Sequence, residues 1–566
     1  MFAFIVDGWR AWKGAKSVAL LAIVALAVGI GSATAIYTIV NAVLVQPVPW
    51  PHGDRFVAIF GSTRNASSRW QWSSNSWLDL LEYQQRSHSF DTFGIYLTRE
   101  FVLTSPGEPQ HLQGVEVTPS FALSLGVAPA VGRWFGEAVN EHGNTDLAVI
   151  SNALWKRLGG DPKIAGQSLT MDGRRYTVTG VMPAWFRLPI AYVAGGEFRA
   201  DVWVPLNPQG GQRDRGFAGY FCYARLRPGL SLARADEDVK RVAAEIAKEY
   251  PNEHRDYTAV VVSLLDSVVK EVRPALLLLF GAAGALLAIT CANVAGLLLA
   301  RSVARAKETA IRLALGASGW RLAAQYLSEG LLVALAGAVL GTGLSAVLIR
   351  WVLSLAADAL PRAGEVGLNW TALLFALGTA VLSSLLFSLA PLWQARRIHP
   401  HEALGEGVRS SAPAHSRQLS RSLVVAEIAL AFTLLSLGAV LIGHLNRLLH
   451  TSPGFDPDGL LTFAVNTSSS EYPGPERLIP YQNRLLQAIR QIPGVANAAL
   501  VDHLPLDGCC FVTKLFAEGG TSPETGLHEV NLIAVSPGYF QTMRIPLLRG
   551  RYLDERDTGE SGCLRS

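Results

Sequence analysis

Long apolar runs alternate with polar, charged segments along this chain of 566 residues. A membrane-spanning helix needs about 20 consecutive, predominantly apolar residues. Five runs reach that length, and we expect the spans at residues 17–45, 274–300, 328–352, 368–394 and 423–445. The pattern therefore predicts a polytopic α-helical membrane protein with about five transmembrane helices.

The polar segments have the patterns of soluble structure. Within residues 46–272, Ser168–Pro183 alternates apolar and polar residues around an Asp-Gly turn, which predicts a β-hairpin. Asp201–Leu206 is a short apolar run typical of a strand. Pro228–Pro251 predicts a helix capped by Ser231. Its apolar positions follow steps of four, three and four: Ala235, Val239, Val242 and Ile246. We expect an α+β domain with its own core here.

The distribution of lysine and arginine predicts the orientation of the chain. These residues concentrate in residues 1–16, in the segment after the second span, and in the linker 405–422. Under the positive-inside rule those segments are cytoplasmic. The amino terminus is then inside, and residues 46–272 and 446–566 lie on the outer side of the membrane.

Composition excludes several classes of function. Only 17% of residues are charged and 50% are hydrophobic, and the formal net charge of +4 is too small to indicate nucleic-acid binding. The five cysteines form no CxxC pair, and the histidines lack metal-ligand spacing. No G-x-x-x-x-G-K-[ST] motif and no convincing catalytic triad occur in the sequence. We therefore expect a non-catalytic protein without metal or cofactor.

A basic, helix-forming segment connects the second and third spans, from Arg301 to Gln325. The candidate site residues are its charged members: Arg301, Arg305, Lys307, Glu308, Arg312 and Arg321. Glu308 and Arg312 are four residues apart with the acid first, the favourable order for a helical ion pair. The segment either docks on a cytoplasmic partner or is an ordinary positive-inside loop, and spacing alone leaves both readings open.

Two further features concern the apolar runs. Gly337 and Gly341 form a GxxxG pattern, which allows close helix packing either inside one protomer or between two copies. The central spans carry almost no ionisable residue, and Glu329 and Glu427 are placed near the ends of their runs. Secondary transporters place ionisable groups near mid-membrane, so a proton- or sodium-coupled carrier is disfavoured.

The two predicted outer segments share an internal repeat. Val117–Phe135 aligns without gaps to Val535–Leu553, with identical Val, Pro, Gly and Arg at four positions. A predicted span precedes the soluble segment in both copies. We expect one complete unit of helix, outer domain and three helices, followed by an incomplete second unit.

Several separated segments resemble one family: Ala306–Leu332, Ala390–Leu404, Gly180–Pro189 and Asp201–Leu206. They are similar to the MacB/FtsX type of ABC-transporter permease, and particularly to the duplicated orphan permeases (ADOP) first noted in acidobacteria. The resemblance implies a MacB-like periplasmic core domain at residues 46–272 and an FtsX-like permease domain at 274–404. It also implies a partial second MacB-like domain at 446–566.

The same resemblance implies a function. Such a protein is a multi-pass permease subunit of the bacterial inner membrane, in contact with lipid. A separate cytoplasmic ABC ATPase hydrolyses ATP, and the permease couples this to conformational change of the periplasmic domain in an export-type mechanism. The family also implies a dimer with another permease copy and a periplasmic adaptor. The alternative is a non-transporting, FtsX-like transducer that controls a periplasmic partner such as a cell-wall hydrolase. In either case Glu308 and Arg312 occupy the expected positions of the family's cytoplasmic loop.

Overall fold

The computed structural model divides the chain into two compact units. The membrane unit extends to Gln46 and from Val269 to Thr451, and the outer unit, named after its predicted location, covers Pro47–Val268 and Ser452 onward. The structure describes residues 16–64, 70–136, 145–188, 198–208, 213–215, 217–251, 254, 257–304, 311, 319–356, 360–395, 414–465, 467, 472, 474–505, 511–516 and 527–557.

The first helix, α1 (Lys16–Val40), is apolar on all sides. Its composition suits a helix surrounded by other helices and lipid. It continues in a single π-helical turn, Asn41–Val45, and ends where Gln46 becomes extended ahead of Pro47. A residue before proline is disfavoured in the helical conformation, which explains the stop.

The outer unit contains a sheet of twelve strands in the part of the chain that is described. The strands are β1 (Phe56–Arg64), β2 (Trp70–Ser73), β3 (Asn75–Ser76), β4 (Phe90–Ser105), β5 (Gln110–Val117), β6 (Val131–Gly132), β7 (Leu147–Ile150), β8 (Ser168–Met171), β9 (Arg174–Val181), β10 (Val202–Pro205), β11 (Ala218–Leu226) and β12 (Tyr257–Ser263). The helices among them are α2 (Trp77–Arg86), α3 (Pro119–Leu125), α4 (Asn152–Arg157), α5 (Leu232–Glu249) and α6 (Leu264–Val269).

The main path of the sheet runs β12-β1-β11-β4-β5-β10-β7-β9-β6. Its pairs are antiparallel except for β5 with β10 and β7 with β9. The predicted hairpin is present as β8 and β9, with Asp172 and Gly173 at positive φ values of 49° and 71°. Two positive φ values are what a two-residue hairpin turn of type I′ requires. The predicted strand at Asp201–Leu206 is also confirmed, as β10.

Helix α5 covers one part of the sheet as its sequence periodicity predicts. Ser231 caps the helix by accepting a hydrogen bond from the amide of Arg234 at 3.4 Å. The four predicted apolar positions are all fully buried, and they pack with residues of β1, β11 and β12 in one core cluster. Each fully buried valine or isoleucine side chain contributes about 1.5–3 kcal/mol, so this face holds the helix in place.

A carboxylate ties α5 to the turn between α2 and β4. Asp238 accepts hydrogen bonds from the amide of His88 and the hydroxyl of Ser89, both at 2.8 Å, and Arg241 donates to its other oxygen. Burial opposes ionisation of this carboxyl, but the bonds from Arg241, Ser89 and His88 outweigh it and hold its pKa below the usual value.

The remaining long helices are α7 (Arg273–Ala304), α8 (Gly319–Ala356), α9 (Trp370–Ala395) and α10 (Ala414–His450). With α1 they make five helices long and apolar enough to cross a membrane in the described part of the chain, in agreement with the predicted fold class. Helices α8 and α10 begin nine residues before the predicted spans at 328 and 423. A helix continues past its apolar run wherever its outer turns find polar surroundings, so hydropathy alone underestimates its length.

Helix α1 packs against three other long helices, α7, α8 and α9. The cluster they share consists mostly of small and aliphatic residues: Ala22, Leu26, Ile30, Val294, Ala295, Leu298, Val333, Ala334, Ala338, Ala376, Ala380 and Phe387. Small residues let helix backbones approach closely, which is the main source of attraction between helices in a membrane.

The carboxyl-terminal segment contains α11 (Pro475–Arg490), β13 (Phe511–Phe516), β14 (Leu527–Leu532) and α12 (Tyr539–Thr542). Two positions of its repeat share a left-handed backbone with the first copy. Gly126 and its counterpart Arg544 are both left-handed, at φ values of 64° and 53°, and the matched Gly132 and Gly550 are at 73° and 84°.

Hydrogen bonds recur at the same matched positions. The indole of Trp134 donates to the carbonyl of Val127 at 2.9 Å, and the matched Tyr552 hydroxyl donates to the carbonyl of Ile545 at 3.0 Å. The amide of Ile95 donates to the hydroxyl of Thr118 at 3.0 Å. At the matched Ser536, the hydroxyl accepts from the amide of Leu500 at 2.8 Å. The sequence repeat is therefore also a structural repeat.

Candidate functional site

The predicted coupling residues lie between the end of α7 and the start of α8. Arg301 is in the last turn of α7. Arg321 belongs to the first turn of α8, where the backbone alone is described. The other four predicted residues lie outside the described residues: Arg305, Lys307, Glu308 and Arg312. Their grouping therefore stays a prediction. The structure describes the two ends of the basic segment, where it joins α7 and α8.

Near the two ends of the basic segment, a buried ion pair joins α7 to α8. The guanidinium Nη1 of Arg301 lies 3.8 Å from Oε2 of Glu329, with side chains 11% and 4% exposed. Gln325, one turn before Glu329, donates its side-chain amide to Oε1 at 3.1 Å. Buried charges among apolar helices are costly unless they are paired and hydrogen-bonded, and this carboxylate is both.

The pair changes one expectation from the sequence. The sequence predicts Glu329 near the end of an apolar run, but α8 begins at Gly319, so the carboxylate lies inside the helix and is buried. Its partner Arg301 is 28 positions earlier on another helix, so no local spacing could reveal the contact. The available signal was an acidic residue next to an apolar run that follows a basic segment.

Helix α9 packs against α8 at Gly330, the residue after Glu329. A Cβ atom built on Gly330 would lie 2.5 Å from Oγ of Ser388 and 2.8 Å from Cε2 of Phe387, both on α9. A Cβ at these distances would force the side chains of Ser388 and Phe387 to move, so glycine leaves room for them between α8 and α9. Helices α7, α8 and α9 therefore all meet around Glu329 and Gly330, beside the basic segment.

The predicted glycine pair faces α1 of the same chain. A Cβ on Gly337 would lie 2.7 Å from Cβ of Leu26, and one on Gly341 would lie 2.9 Å from the carbonyl oxygen of Ala27. Gly31 of α1, which the sequence analysis did not single out, completes the contact, because its own Cβ would lie 2.8 Å from the carbonyl oxygen of Gly341. Helices α1 and α8 thus touch backbone to backbone.

No group of three or more His, Cys, Asp or Glu side chains is arranged to hold a metal ion within the described ranges. The described part of the site consists of packed helices joined by the Arg301–Glu329 pair and by close contacts at glycines. These features define a class: a multi-helix membrane protein whose first helix is followed by an α+β domain built on a large sheet.

Comparison with known families gives the class a name. The model of the MacB-like periplasmic core domain matches residues 19–242, and that of the FtsX-like permease C-terminal domain matches residues 280–400. The chain therefore belongs to the MacB/FtsX type of ABC-transporter permease.

Individual proteins are similar to parts of this chain. The macrolide export ATP-binding/permease protein MacB of Marinobacter nauticus is 26% identical over 281 residues, which are 49% of this chain and 40% of that protein. MacB of Escherichia coli K12 is 29% identical over 205 residues, covering 36% of this chain and 30% of that protein. This chain thus spans less than half the length of the curated relatives it matches. The crystal structure of the periplasmic region of MacB from Actinobacillus actinomycetemcomitans aligns with 42% of this chain and 97% of that one, at 10% identity and a TM-score of 0.30.

Proposed function

We propose that this chain is the inner-membrane permease subunit of an export-type ABC transporter, driven by a separate cytoplasmic ATPase. The observation that carries the proposal is the buried Arg301–Glu329 pair, which joins the two helices flanking the basic segment. A partner that moved this segment would move α7 and α8 together. The MacB relatives are named as macrolide export proteins, and we extend export to this chain.

The proposed path of motion follows the described contacts. An ATPase docked on Arg301–Arg321 displaces the adjoining ends of α7 and α8. Helix α8 is in backbone contact with α1 through Gly337 and Gly341, so its displacement reaches α1. Helix α1 leads within a few residues to Pro47, where the chain enters the outer unit. Reshaping of the outer domain then requires no ion-binding residue within the membrane.

We infer the orientation and assembly on separate grounds. The Lys/Arg distribution supports a cytoplasmic amino terminus, and the description of the matching domain as periplasmic supports an outer location for residues 46–272. The repeated hydrogen bonds at Thr118 and at the matched Ser536 support the duplicated orphan branch of the family. Pairing with another permease copy, with lipid around the helices, completes the proposed assembly.

Charge reversal at Arg312 tests the docking step. Arg312→Glu should abolish co-purification of the ATPase while leaving expression of the chain unchanged. A docking effect must exceed the small contribution of an exposed helical pair with Glu308, about 0.2–0.5 kcal/mol. Arg350→Glu is the matched control, because Arg350 is an exposed arginine at the other end of α8.

The outcomes separate the candidate functions. Loss of the ATPase in Arg312→Glu alone supports docking, whereas unchanged association in that variant refutes it. The proteins that co-purify with the wild-type chain give the second result. An outer-membrane channel or adaptor agrees with export, and a cell-wall hydrolase in its place would replace the export proposal with the transducer alternative.

A further inference from the structure

The outer end of α1 carries polar backbone groups at the point where the chain leaves the membrane unit. In its terminal π-helical turn, the amide of Gln46 donates to the carbonyl of Asn41 at 2.9 Å, and Asn41 is buried. The last carbonyls of any helix have no amide donors within the helix itself. These carbonyls need partners from another part of the chain.

Arg362, in the segment between α8 and α9, supplies the partner. Its Nη1 donates to the carbonyl of Gln46 at 2.6 Å and lies 3.5 Å from the carbonyl of Val43. Its Nε donates to the carboxylate of Glu365 at 3.1 Å, and the arginine side chain is only 4% exposed. A guanidinium at a helix carboxyl terminus is favoured by the helix dipole, and its planar fork can serve the carbonyls and the carboxylate together.

The backbone of Arg362 gives an independent sign that the contact is specified. This residue is left-handed, with φ at 62°, although it carries a bulky side chain. Non-glycine residues adopt this conformation at an energetic cost and keep it where surrounding interactions hold them. Here the bonds to Gln46 and Glu365 are the interactions that hold it.

Two further contacts lie on the same side of α1. The side-chain amide of Asn41 donates to the hydroxyl of Thr371 at 3.3 Å. One turn earlier, the ring of Tyr37 stacks on that of Phe375, with centroids 4.0 Å apart and planes within 2°. Tyr37 and Asn41 are four residues apart, and so are Thr371 and Phe375. One face of α1 and its terminal turn therefore meets one face of α9. The two helices and the segment before α9 form a continuous contact.

We propose that Arg362 is a positioning residue that fastens the outer end of α1 to the segment joining α8 and α9. The residues entering the outer unit at Pro47 then follow the movement of α8 and α9 as well as that of α1. This role rests on the proposed function, since it describes how motion that starts at the basic segment leaves the membrane unit. Arg362 forms the outer contact of α1, and Gly337 and Gly341 form the contact along its length.

Hydrogen exchange tests the contact without any assumption about function. In the purified full-length chain, Arg362→Gln should speed amide exchange across Asn41–Gln46 by about tenfold or more, because a charge-assisted bond to buried carbonyls is lost. Arg362→Lys should give an intermediate rate, since one donor remains. Arg350→Gln is the matched control and should leave the rate unchanged. Equal rates in Arg362→Gln and the wild type would overturn the assignment.

A second measurement tests the role in coupling. The reference chain has its five native cysteines replaced by serine and carries a fluorophore on Glu108→Cys, an exposed position of the outer unit, and it is purified with its ATPase in nanodiscs. Arg362→Gln should bind the ATPase and hydrolyse ATP as the reference chain does, yet lose at least half of the ATP-dependent fluorescence change. Arg362→Lys should restore part of that change.

The possible results are distinguishable. An undiminished fluorescence change in Arg362→Gln overturns the coupling role, and so does loss of ATPase binding, because Arg362 lies at the opposite end of α8 from the docking segment. If the reference complex gives no ATP-dependent change, the proposed function fails. The exchange rates then decide alone whether Arg362 holds the end of α1.

Discussion

One methyl group added at Gly341 should weaken the contact between α1 and α8. Its Cβ would lie 2.9 Å from the carbonyl oxygen of Ala27, 3.0 Å from the amide nitrogen of Gly31 and 3.4 Å from Cα of Gly31. All three are backbone atoms, which cannot rotate away as a side chain can. Gly343, two residues later on the same helix, has no described atom within 4 Å of its Cβ position and is the matched control.

The two substitutions share the gain in helix propensity, but only the methyl group at the buried Gly341 meets backbone atoms. Replacing glycine by alanine inside a helix gains about 1 kcal/mol in helix propensity at either position. Overpacking against atoms that cannot move costs about 1–3 kcal/mol. Gly341→Ala should therefore be less stable than Gly343→Ala by about 1–3 kcal/mol. For a unit of this size the difference corresponds to about 2–12 °C in melting temperature.

Thermal unfolding of the two purified variants in the same detergent, followed by the remaining monodisperse fraction on size-exclusion chromatography, measures this difference. Equal melting temperatures would refute the backbone contact between α1 and α8. A change of oligomeric state in Gly341→Ala at unchanged melting temperature would instead assign the glycine pair to an interface between copies. The comparison thus decides between the two packing readings that the GxxxG pattern leaves open.

Three other predictions concern the Arg301–Glu329 pair, the membrane topology and Asp238. Arg301→Ala leaves the Glu329 carboxylate buried without its charged partner and should lower the free energy of unfolding by about 3–5 kcal/mol. A variant in which Arg301 and Glu329 are exchanged should recover part of that loss in a thermal melt. An additive loss in the exchanged variant would argue against the pair. Single cysteines at Ser105 and Ser318 should react with an impermeant thiol reagent from opposite sides of the membrane, and labelling from one side would overturn the topology. The lowered pKa of Asp238 means that its carboxylate stabilises the outer unit above about pH 4, the usual pKa, and that this contribution is lost as the pH falls through the lower folded value. Wild type should therefore lose stability on acidification more steeply than Asp238→Asn, and parallel pH curves would contradict this.

Local patterns accounted for much of the fold. The hairpin at β8 and β9 follows from alternation around an Asp-Gly turn, and α5 follows from a cap at Ser231 and a helical apolar period. Both signals act within a few residues, where backbone geometry and side-chain chemistry leave few choices. The membrane helices are equally local, because the cost of leaving backbone groups without partners in lipid enforces a helix wherever an apolar run is long enough.

The candidate site was predictable only in part. Arg301 was singled out because basic residues gather beside a span, and Gly337 and Gly341 because their spacing permits close packing. The partners of these residues, Glu329 and the Leu26–Gly31 turn of α1, were not predicted. Nothing in the charge of Arg301 indicates which carboxylate lies opposite, because that depends on how α7 and α8 are placed around α1.

The sequence by itself determined the helices, their approximate number and the character of the outer domain, since hydrophobic period, turn chemistry and charge asymmetry act over short distances. Only the tertiary structure decided which faces meet. Arg362 and the carbonyl of Gln46 are 316 positions apart, yet they are 2.6 Å apart in space. The order of the twelve strands in the sheet likewise depends on contacts between residues that are far apart in the sequence. Such contacts depend on the packing of all elements at once, because each polar group buried by the fold must find a partner wherever the chain brings one.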